Sequence, residues 1–459
     1  MKFKGIYTVF VGIAIISSCS GTRNLARPDI GMPDVYDGNA TTDSMSIADV
    51  SWWNFYSDST LCHMINEALT HNRDLLIAAA RVEELGQMYG VEKLCYLPVI
   101  TGLAGATNET NDYYKEASSR DLEVSFKARL NWEIDLWGGL GKARQRSAAQ
   151  YMASVEDRRA MEITIIAQTA TAYFNLVALQ NELDIVKRTL VTREENLEKA
   201  YLRFQGGMTS EIVYQQAKVE LATTAALVPD LNRRITLAKN ALTLLMGCFP
   251  EDRWNTSQYS LDENLPARLP LGIPSSLLER RPDLRASEQR LRAAMAGVGV
   301  AYSNQFPKLT IGITGGWEND DVTNLFKSPF SYLLGNITGT VLDFGRNKRR
   351  YKASIAAYEQ ARLTYEKNVM QAFTEVDNAA QSYRELQFAA DRRRELRDAA
   401  LKYVDLANRQ YLAGSISYID VLDASRRYFD AQIALSNAVR DEYLALVDLY
   451  RTLGGGWTR

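Results

Sequence analysis

Residues able to do chemistry are sparse in this chain, and their positions limit what it can do. The only imidazoles are His63 and His71. Any Ser/His/Asp arrangement or histidine-rich metal site would have to be built from these two, and a structural role accounts for both. Beyond Cys19 the cysteines are Cys62, Cys95 and Cys248, odd in number and without the CxxC or Cys/His spacing of a zinc site. They read as small buried hydrophobes, with one bridge among them left open. There is no glycine-rich phosphate loop and no nucleophile–histidine pattern, so neither an enzyme nor a bound metal or cofactor is expected. One acidic pair stands out. Asp420 and Asp423 follow Ser417 at the start of a helical stretch, three residues apart and so able to share a face. They also suit solvated helix-start positions favoured by the helix dipole.

The chain has 459 residues, of which 46% are hydrophobic and 24% charged, with a formal net charge of −2. That balance supplies no basic patch for a nucleic-acid partner. Lys2 and Lys4 precede an apolar stretch over 6–16 of signal-peptide length, too short for a permanent spanning helix. It ends in Ile16-Ser17-Ser18-Cys19, which resembles a bacterial lipobox. The resemblance implies that 1–18 is a lipoprotein signal peptide and that Cys19 becomes the lipid-modified N-terminus. Acyl chains there would tether the protein to a membrane, each buried methylene contributing about 0.8 kcal/mol.

The elements that must position these residues are written twice. Asn72-Arg73-Asp74-Leu75 answers to Arg281-Pro282-Asp283-Leu284, and Tyr96-Leu97-Pro98 to Gln305-Phe306-Pro307, both at an offset of 209. Asp135-Leu136-Trp137-Gly138 answers to Asp343-Phe344-Gly345 with one residue dropped, and Phe204-Gln205-Gly206-Gly207 to Tyr411-Leu412-Ala413-Gly414 at 207. Four landmarks in one order indicate duplication of a large unit, unlike the short periods of solenoids. Each half runs helix, strand, strand, long helix, long helix. We therefore expect a first repeat over 19–255, with strands at about 97–136 and a helical hairpin at about 139–247. The second repeat is expected over 256–459, with strands at about 307–343 and a hairpin at about 345–453.

The strand signal is clearest over 122–136. Leu122, Val124, Phe126, Ala128, Leu130, Trp132, Ile134 and Leu136 share one parity, and charged or polar residues hold the other. Leu309, Ile311, Ile313 and Trp317 repeat the pattern. Such strands fit half of a soluble sheet, or a membrane barrel with lipid outside and water inside. The length of the alternation, against about five or six residues for an ordinary strand, and the envelope address favour the barrel. Four strands cannot close one, since outer-membrane barrels begin at about eight. Two copies would give eight strands and three would give twelve, and the pattern fits either.

Residues 142–204 and 348–412 contain neither glycine nor proline, so each predicts a helical rod of roughly 95 Å at about 1.5 Å per residue. Leu183, Val186, Leu190, Leu197, Ala200 and Phe204 are spaced like a coiled-coil seam, interrupted by Arg193. Return helices are expected over 210–246 and 417–453, with Pro229 bending or breaking the first. Each turn combines glycine with a later serine, which suits a helix end followed by a helix cap. The turn residues Gly207, Met208, Thr209 and Gly414, Ser415, Ile416 would lie at the far ends of the rods, where a partner could dock.

The stretch Leu278-Glu279-Arg280-Arg281-Pro282-Asp283-Leu284 through Phe306-Pro307-Lys308-Leu309 resembles the signature of the TolC-like outer membrane efflux protein family, of the NodT/OprM lipoprotein type. So do Asn131-Trp132-Glu133-Ile134-Asp135-Leu136-Trp137-Gly138 and Asn240-Ala241-Leu242-Thr243-Leu244-Leu245-Met246-Gly247. The likeness implies a mixed α and β membrane protein. As a homotrimer it would form a twelve-stranded outer-membrane β-barrel continued by a periplasmic α-helical barrel. It further implies docking to a periplasmic adaptor and an inner-membrane transporter of the resistance-nodulation-division (RND) class. Its channels close at the periplasmic end by drawing hairpins inward. By that resemblance Ile419 would form an apolar ring and Asp423 an acidic one, with Asp420 deepening the negative mouth. Ile212, Val213 and Gln216 are the first-half counterparts and lack acids, so only the second hairpin is expected to gate. Arg426 and Arg427 are candidates to latch neighbouring hairpins, although surface ion pairs are weak. A type I protein secretion duct shares this architecture and is the main rival. A general porin would lack the rods, and a coiled-coil lipoprotein would leave the alternating strands without purpose.

Overall fold

The computed structural model describes residues 31, 33, 36, 46–56, 58–111, 114, 119–250, 261, 265, 269–272, 274–339 and 343–456. The expected signal peptide, Cys19 and the boundary at 255–256 lie outside the described residues.

After helix α1 (Ser59–His71) the first half runs α2 (Arg73–Leu94), β1 (Val99–Asn111), β2 (Ser119–Ile134), α3 (Gly139–Gln205) and α4 (Glu211–Leu245). The second half runs α5 (Pro282–Ser303), β3 (Lys308–Asn319), β4 (Pro329–Thr338), α6 (Arg346–Leu412) and α7 (Tyr418–Thr452). Matching helices have equal lengths: 22 residues in α2 and α5, 67 in α3 and α6, 35 in α4 and α7. Duplication has thus preserved these three helix pairs to the residue. A 67-residue helix extends about 100 Å at about 1.5 Å per residue.

The repeated landmarks sit where elements must stop and start. Asp135 accepts hydrogen bonds from the backbone N–H of Leu140 (3.0 Å) and Gly141 (2.8 Å), capping α3. Asp343 does the same for α6 through Gly345 and Asn347, both at 2.8 Å. These caps satisfy amide groups that have no partner within the helix. Asn72 caps α2 through its side-chain oxygen, and its Nδ2 donates to the Leu245 carbonyl at the end of α4 (2.8 Å). Arg281 plays the matching part, donating to the Thr452 carbonyl at the end of α7 (3.2 Å). Buried Arg281 also pairs with Asp283 (2.7 Å) and Glu375 (2.8 Å). Burial pulls its pKa down, but those two carboxylates hold the guanidinium above its ordinary value.

Two expectations need correction. α4 runs unbroken through Pro229. The ring removes one N–H from a ladder that continues on both sides, and the buried Leu231 and Ile235 anchor the following turns. Nor are the cysteines all buried. Cys62 is half-buried, Cys95 and Cys248 are exposed, and all three are free thiols.

The four strands form one antiparallel sheet in the order β1-β2-β3-β4. Its register aligns the two faces across strands. Phe126 lies opposite Trp317, Leu130 opposite Ile313, Trp132 opposite Ile311 and Ile134 opposite Leu309, so one face is apolar across the β2–β3 junction. The other face carries Lys127, Arg129 and Glu133, with ion pairs from Lys127 to Glu318 (2.7 Å) and Lys308 to Glu133 (2.9 Å). A slip of one residue would exchange the faces, which is why such a register is strongly specified. Among the described residues no helix is long and apolar enough to cross a membrane.

Compact units do not follow the repeat. One combines Arg81–Val155 with Ala286–Lys367 and holds the sheet, the later parts of α2 and α5 and the first turns of α3 and α6. The other includes Glu156–Arg285 and Asn368–Arg459 and holds the rest of both hairpins. Its core contains Tyr173, Leu176, Leu242, Met246, Leu284 and Tyr450, all fully buried. Phe55 stacks on Tyr450 with ring centroids 4.2 Å apart.

Candidate functional site

The hairpin ends are built alike. Gly207 and Gly414 take φ of 71° and 76°, the left-handed backbone that glycine adopts without a Cβ clash. Met208 N–H donates to the Arg203 carbonyl and Ser415 N–H to the Gln410 carbonyl, both at 2.9 Å. These six-to-one bonds close the last turns of α3 and α6 as Schellman motifs. Gly207, Met208, Gly414 and Ser415 are exposed at the tips. Thr209 is half-buried, with its hydroxyl lacking a hydrogen-bond partner. Ile416 packs on the cluster of Ala407, Val421 and Ala424. Both of these turn partly inward, so the exposed tip is narrower than the six-residue set read from the sequence.

The three residues expected at the gate have different surroundings. Ile419 is 56% exposed, a large apolar side chain left uncovered on the first turn of α7. Asp420 is committed to the helix start, accepting from Ser417 N–H and Ser417 Oγ, both at 2.9 Å. It completes a capping box with Ser417. Asp423 instead faces Arg427, whose Nε donates to its carboxylate at 2.8 Å along the same helix. The two acids therefore share a helix but not a partner, and Asp423 is the one outside the cap.

Behind this turn lies an ion cluster that the sequence reading only half located. Glu220 on α4 is 9% exposed and faces Arg193 on α3, which is 11% exposed, at 3.0 Å. Its other carboxylate oxygen accepts from Arg426 on α7, with Nε at 2.7 Å. Arg193 also donates to Thr224 Oγ1 and the Glu220 carbonyl, and lies 5.4 Å from the Phe429 ring. Burial pushes the Arg193 pKa down, partly offset by Glu220, while hydrogen bonding to Glu220 holds the better-solvated Arg426 up. Half-buried Tyr418 has its hydroxyl pushed above its ordinary value, chiefly by desolvation. Glu220 thus ties the return helix of the second hairpin to the first hairpin, and of the two candidate latches only Arg426 reaches across. Glu220 was missed. Its signal was Arg193, a cation in an apolar seam that requires an acid on the facing helix.

His71 Nδ1 lies 3.3 Å from Glu67, an exposed pair on α1. Among the described residues no group of three His, Cys, Asp or Glu side chains converges as metal ligands would.

Comparison with known proteins gives this arrangement a context. The model of the outer membrane efflux protein family matches residues 64–248 and 273–455, one match in each repeat. The solvent efflux pump outer membrane protein SrpC of Pseudomonas putida is 30% identical over 100% of this chain and 99% of its own length. The probable outer membrane lipoprotein SilC of Salmonella typhimurium is 27% identical over 100% and 99%. Among solved structures, the outer-membrane channel OprN superimposes with a TM-score of 0.86 at 27% identity, covering 95% of this chain and 98% of that one. With both halves matched and a 30% identical relative spanning the whole chain, the protein belongs to the outer membrane efflux protein family.

Proposed function

We propose that this chain is the outer-membrane exit duct of a tripartite efflux pump. Three copies close a twelve-stranded barrel and conduct small molecules such as drugs passively from an inner-membrane RND-type transporter, through a periplasmic adaptor, to the exterior. The observation that carries this reading is the sheet: one apolar face, one charged face, and four strands whose outer members β1 and β4 have open edges. Closure needs further copies. The relatives support the pump, since SrpC is named for solvent efflux. SilC, named as a lipoprotein, supports an anchor on Cys19 that places the long helices in the periplasm. The tips at Gly207, Met208, Thr209, Gly414, Ser415 and Ile416 would meet the adaptor. Ile419 and Asp423 would line the closed end, with Asp420 contributing chiefly by holding the helix start. The Glu220–Arg426 link would keep the second hairpin against the first.

The repeat itself supplies a test. Val99 opposite Asn131 in the first strand pair answers to Lys308 opposite Thr338 in the second. Carrying the Leu130–Ile313 pairing over by the same offsets sets Ile337 of one copy opposite Ala104 of the next. Ile337→Cys with Ala104→Cys, in a background with Cys62, Cys95 and Cys248 changed to serine, should give disulfide-linked trimers on oxidation. Light scattering should give a trimeric mass, and planar bilayers should show small, cation-preferring currents. A monomer without conductance sinks the proposal. For the gate, Asp420→Ala with Asp423→Ala should raise single-channel conductance, most of it from Asp423. Unchanged conductance in the double variant removes the gate assignment.

A further inference from the structure

Each long helix starts on one acidic cap, Asp135 or Asp343, and then carries cations alone over its first turns. The first turns of α3 and α6 contain no acid, although negative charge is favoured at a helix start and positive charge is not. In α3, Lys142, Arg144 and Arg146 come before the first acid, Glu156; in α6, Arg346, Lys348, Arg349, Arg350 and Lys352 come before Glu359. Apart from half-buried Lys142 all eight are exposed. Arg144 lies 5.4 Å from the Tyr96 ring, and Arg346 lies near Asp343. Eight cations against two capping carboxylates leave a concentrated positive charge that an anion from outside the chain would balance.

The neighbourhood indicates which anion. Trp132, Trp137 and Phe344 are exposed at the end of the sheet where these helices start, and Phe344 is 88% exposed. Both indole N–H groups are already satisfied, Trp132 by the Tyr96 carbonyl (2.9 Å) and Trp137 by the Pro307 carbonyl (2.7 Å). Aromatic residues at strand ends mark the membrane–water boundary. At about 1.5 Å per residue the cations occupy roughly the first 10 Å of each helix. The headgroup layer on one side of a bilayer is about 5–8 Å thick. Arg146, Arg290 and Arg350 also line a groove of about 800 Å³ between α3, α5 and α6, with Asn304, Asn347 and Gly297. Lipid headgroups of negative charge attract such basic segments within a Debye length.

We propose that this cationic collar and its groove bind the headgroups of anionic phospholipids in the leaflet on the helix side of the membrane. The inference rests on the outer-membrane placement proposed above. The probe is phosphatidylglycerol against phosphatidylcholine at equal mole fraction, with lipid retained per purified trimer counted by native mass spectrometry. The wild type should retain phosphatidylglycerol about tenfold over phosphatidylcholine, and the preference should fall steeply between low and high salt. A variant combining Arg144→Gln, Arg146→Gln, Arg346→Gln, Lys348→Gln, Arg349→Gln and Arg350→Gln should lose the preference. The same six changed Arg→Lys or Lys→Arg should keep it, as should a control with Arg392→Gln, Arg393→Gln and Arg397→Gln far along α6.

Equal retention of both lipids by the wild type overturns the proposal, and that measurement needs no variant to fold. So does a glutamine variant that keeps the preference. If that variant instead changes only the ion selectivity of the current, the cations face the channel and the collar is refuted. Failure of the wild type to form conducting trimers would count against the duct itself, a separate outcome read before any lipid is added.

Discussion

The two helical hairpins are equal in length and closed by the same turn, yet they carry different charges at matched positions. At an offset of 207, Gln216 stands for Asp423, Val219 for Arg426, Arg193 for Ala400 and Glu220 for Arg427. The last pair has reversed sign. Duplication has kept the backbone and allowed the charges to diverge, so that the first hairpin offers a buried acid and the second supplies the arginine that meets it. The hairpins are therefore complementary, and a second hairpin in both places would set an arginine where Glu220 now meets Arg426.

The comparison breaks most visibly at Glu220. Glu220→Gln leaves Arg193 buried without its counter-charge, and removing one partner of a buried pair costs about 3–5 kcal/mol. The matched change in the second hairpin, Arg427→Gln, removes only an exposed pair along one helix and should leave stability nearly unchanged. Helix melting of the detergent-solubilised protein, followed by circular dichroism, compares the two. Equal losses would mean that the hairpins are not differentiated in this way.

A second, smaller contrast lies at the other ends of the hairpins. Gly247 and Gly454 are matched and both left-handed, with φ of 70° and 80°. An alanine Cβ at 247 would stand 2.2 Å from the His71 carbonyl oxygen, whereas at 454 its nearest neighbour is Arg281 Cγ at 3.2 Å. Gly454→Ala should cost about 1–2 kcal/mol for the backbone conformation. Gly247→Ala should cost more, because a backbone carbonyl cannot swing aside. Gly207→Ala and Gly414→Ala have open space around them, and should show the backbone cost alone. A smaller loss for Gly247→Ala than for Gly454→Ala would refute this account.

What the sequence made legible was what a local rule enforces. Asp135 and Asp343 stand out because a long helix needs its first amides capped, and the tip glycines because only a left-handed residue closes those turns. The face alternation of β2 fixed which side of the sheet is apolar, and the structure adds that β3 meets it in register. Ser417 followed by Asp420 at the third helical position is a capping-box spacing, so the cap was readable. Illegible features depend on partners distant in sequence. Glu220 draws its importance from Arg193 and Arg426, 27 and 206 residues away, and only the lone cation Arg193 in the facing seam hints at it. Pro229 misled for the opposite reason, since a strong local rule yielded to the packing on either side.

The smallest expected effect concerns a matched pair in which one half is apolar and the other ionisable. Ile235 of α4 is buried, and its counterpart in α7 is Glu442, only 2% exposed. Burial pushes the Glu442 carboxyl above its ordinary value; Arg394, 3.6 Å away, offsets this in part, and Asp391 adds to it. A carboxyl whose folded-state pKa is raised prefers its proton when folded. Its ionised form therefore weakens the fold at neutral pH, and the fold recovers as pH falls through the raised value towards that of an exposed glutamate. Glu442→Gln should accordingly stabilise the protein by about 1 kcal/mol at pH 7, with the gain shrinking towards pH 5. Arg394 keeps Asp391 at 2.7 Å in the variant, so no buried cation is stranded. Melts of variant and wild type at both pH values isolate this group, because every other titrating side chain is common to the two. A variant less stable than the wild type at pH 7 would show that Arg394 outweighs desolvation, making Glu442 a second interhelical tie.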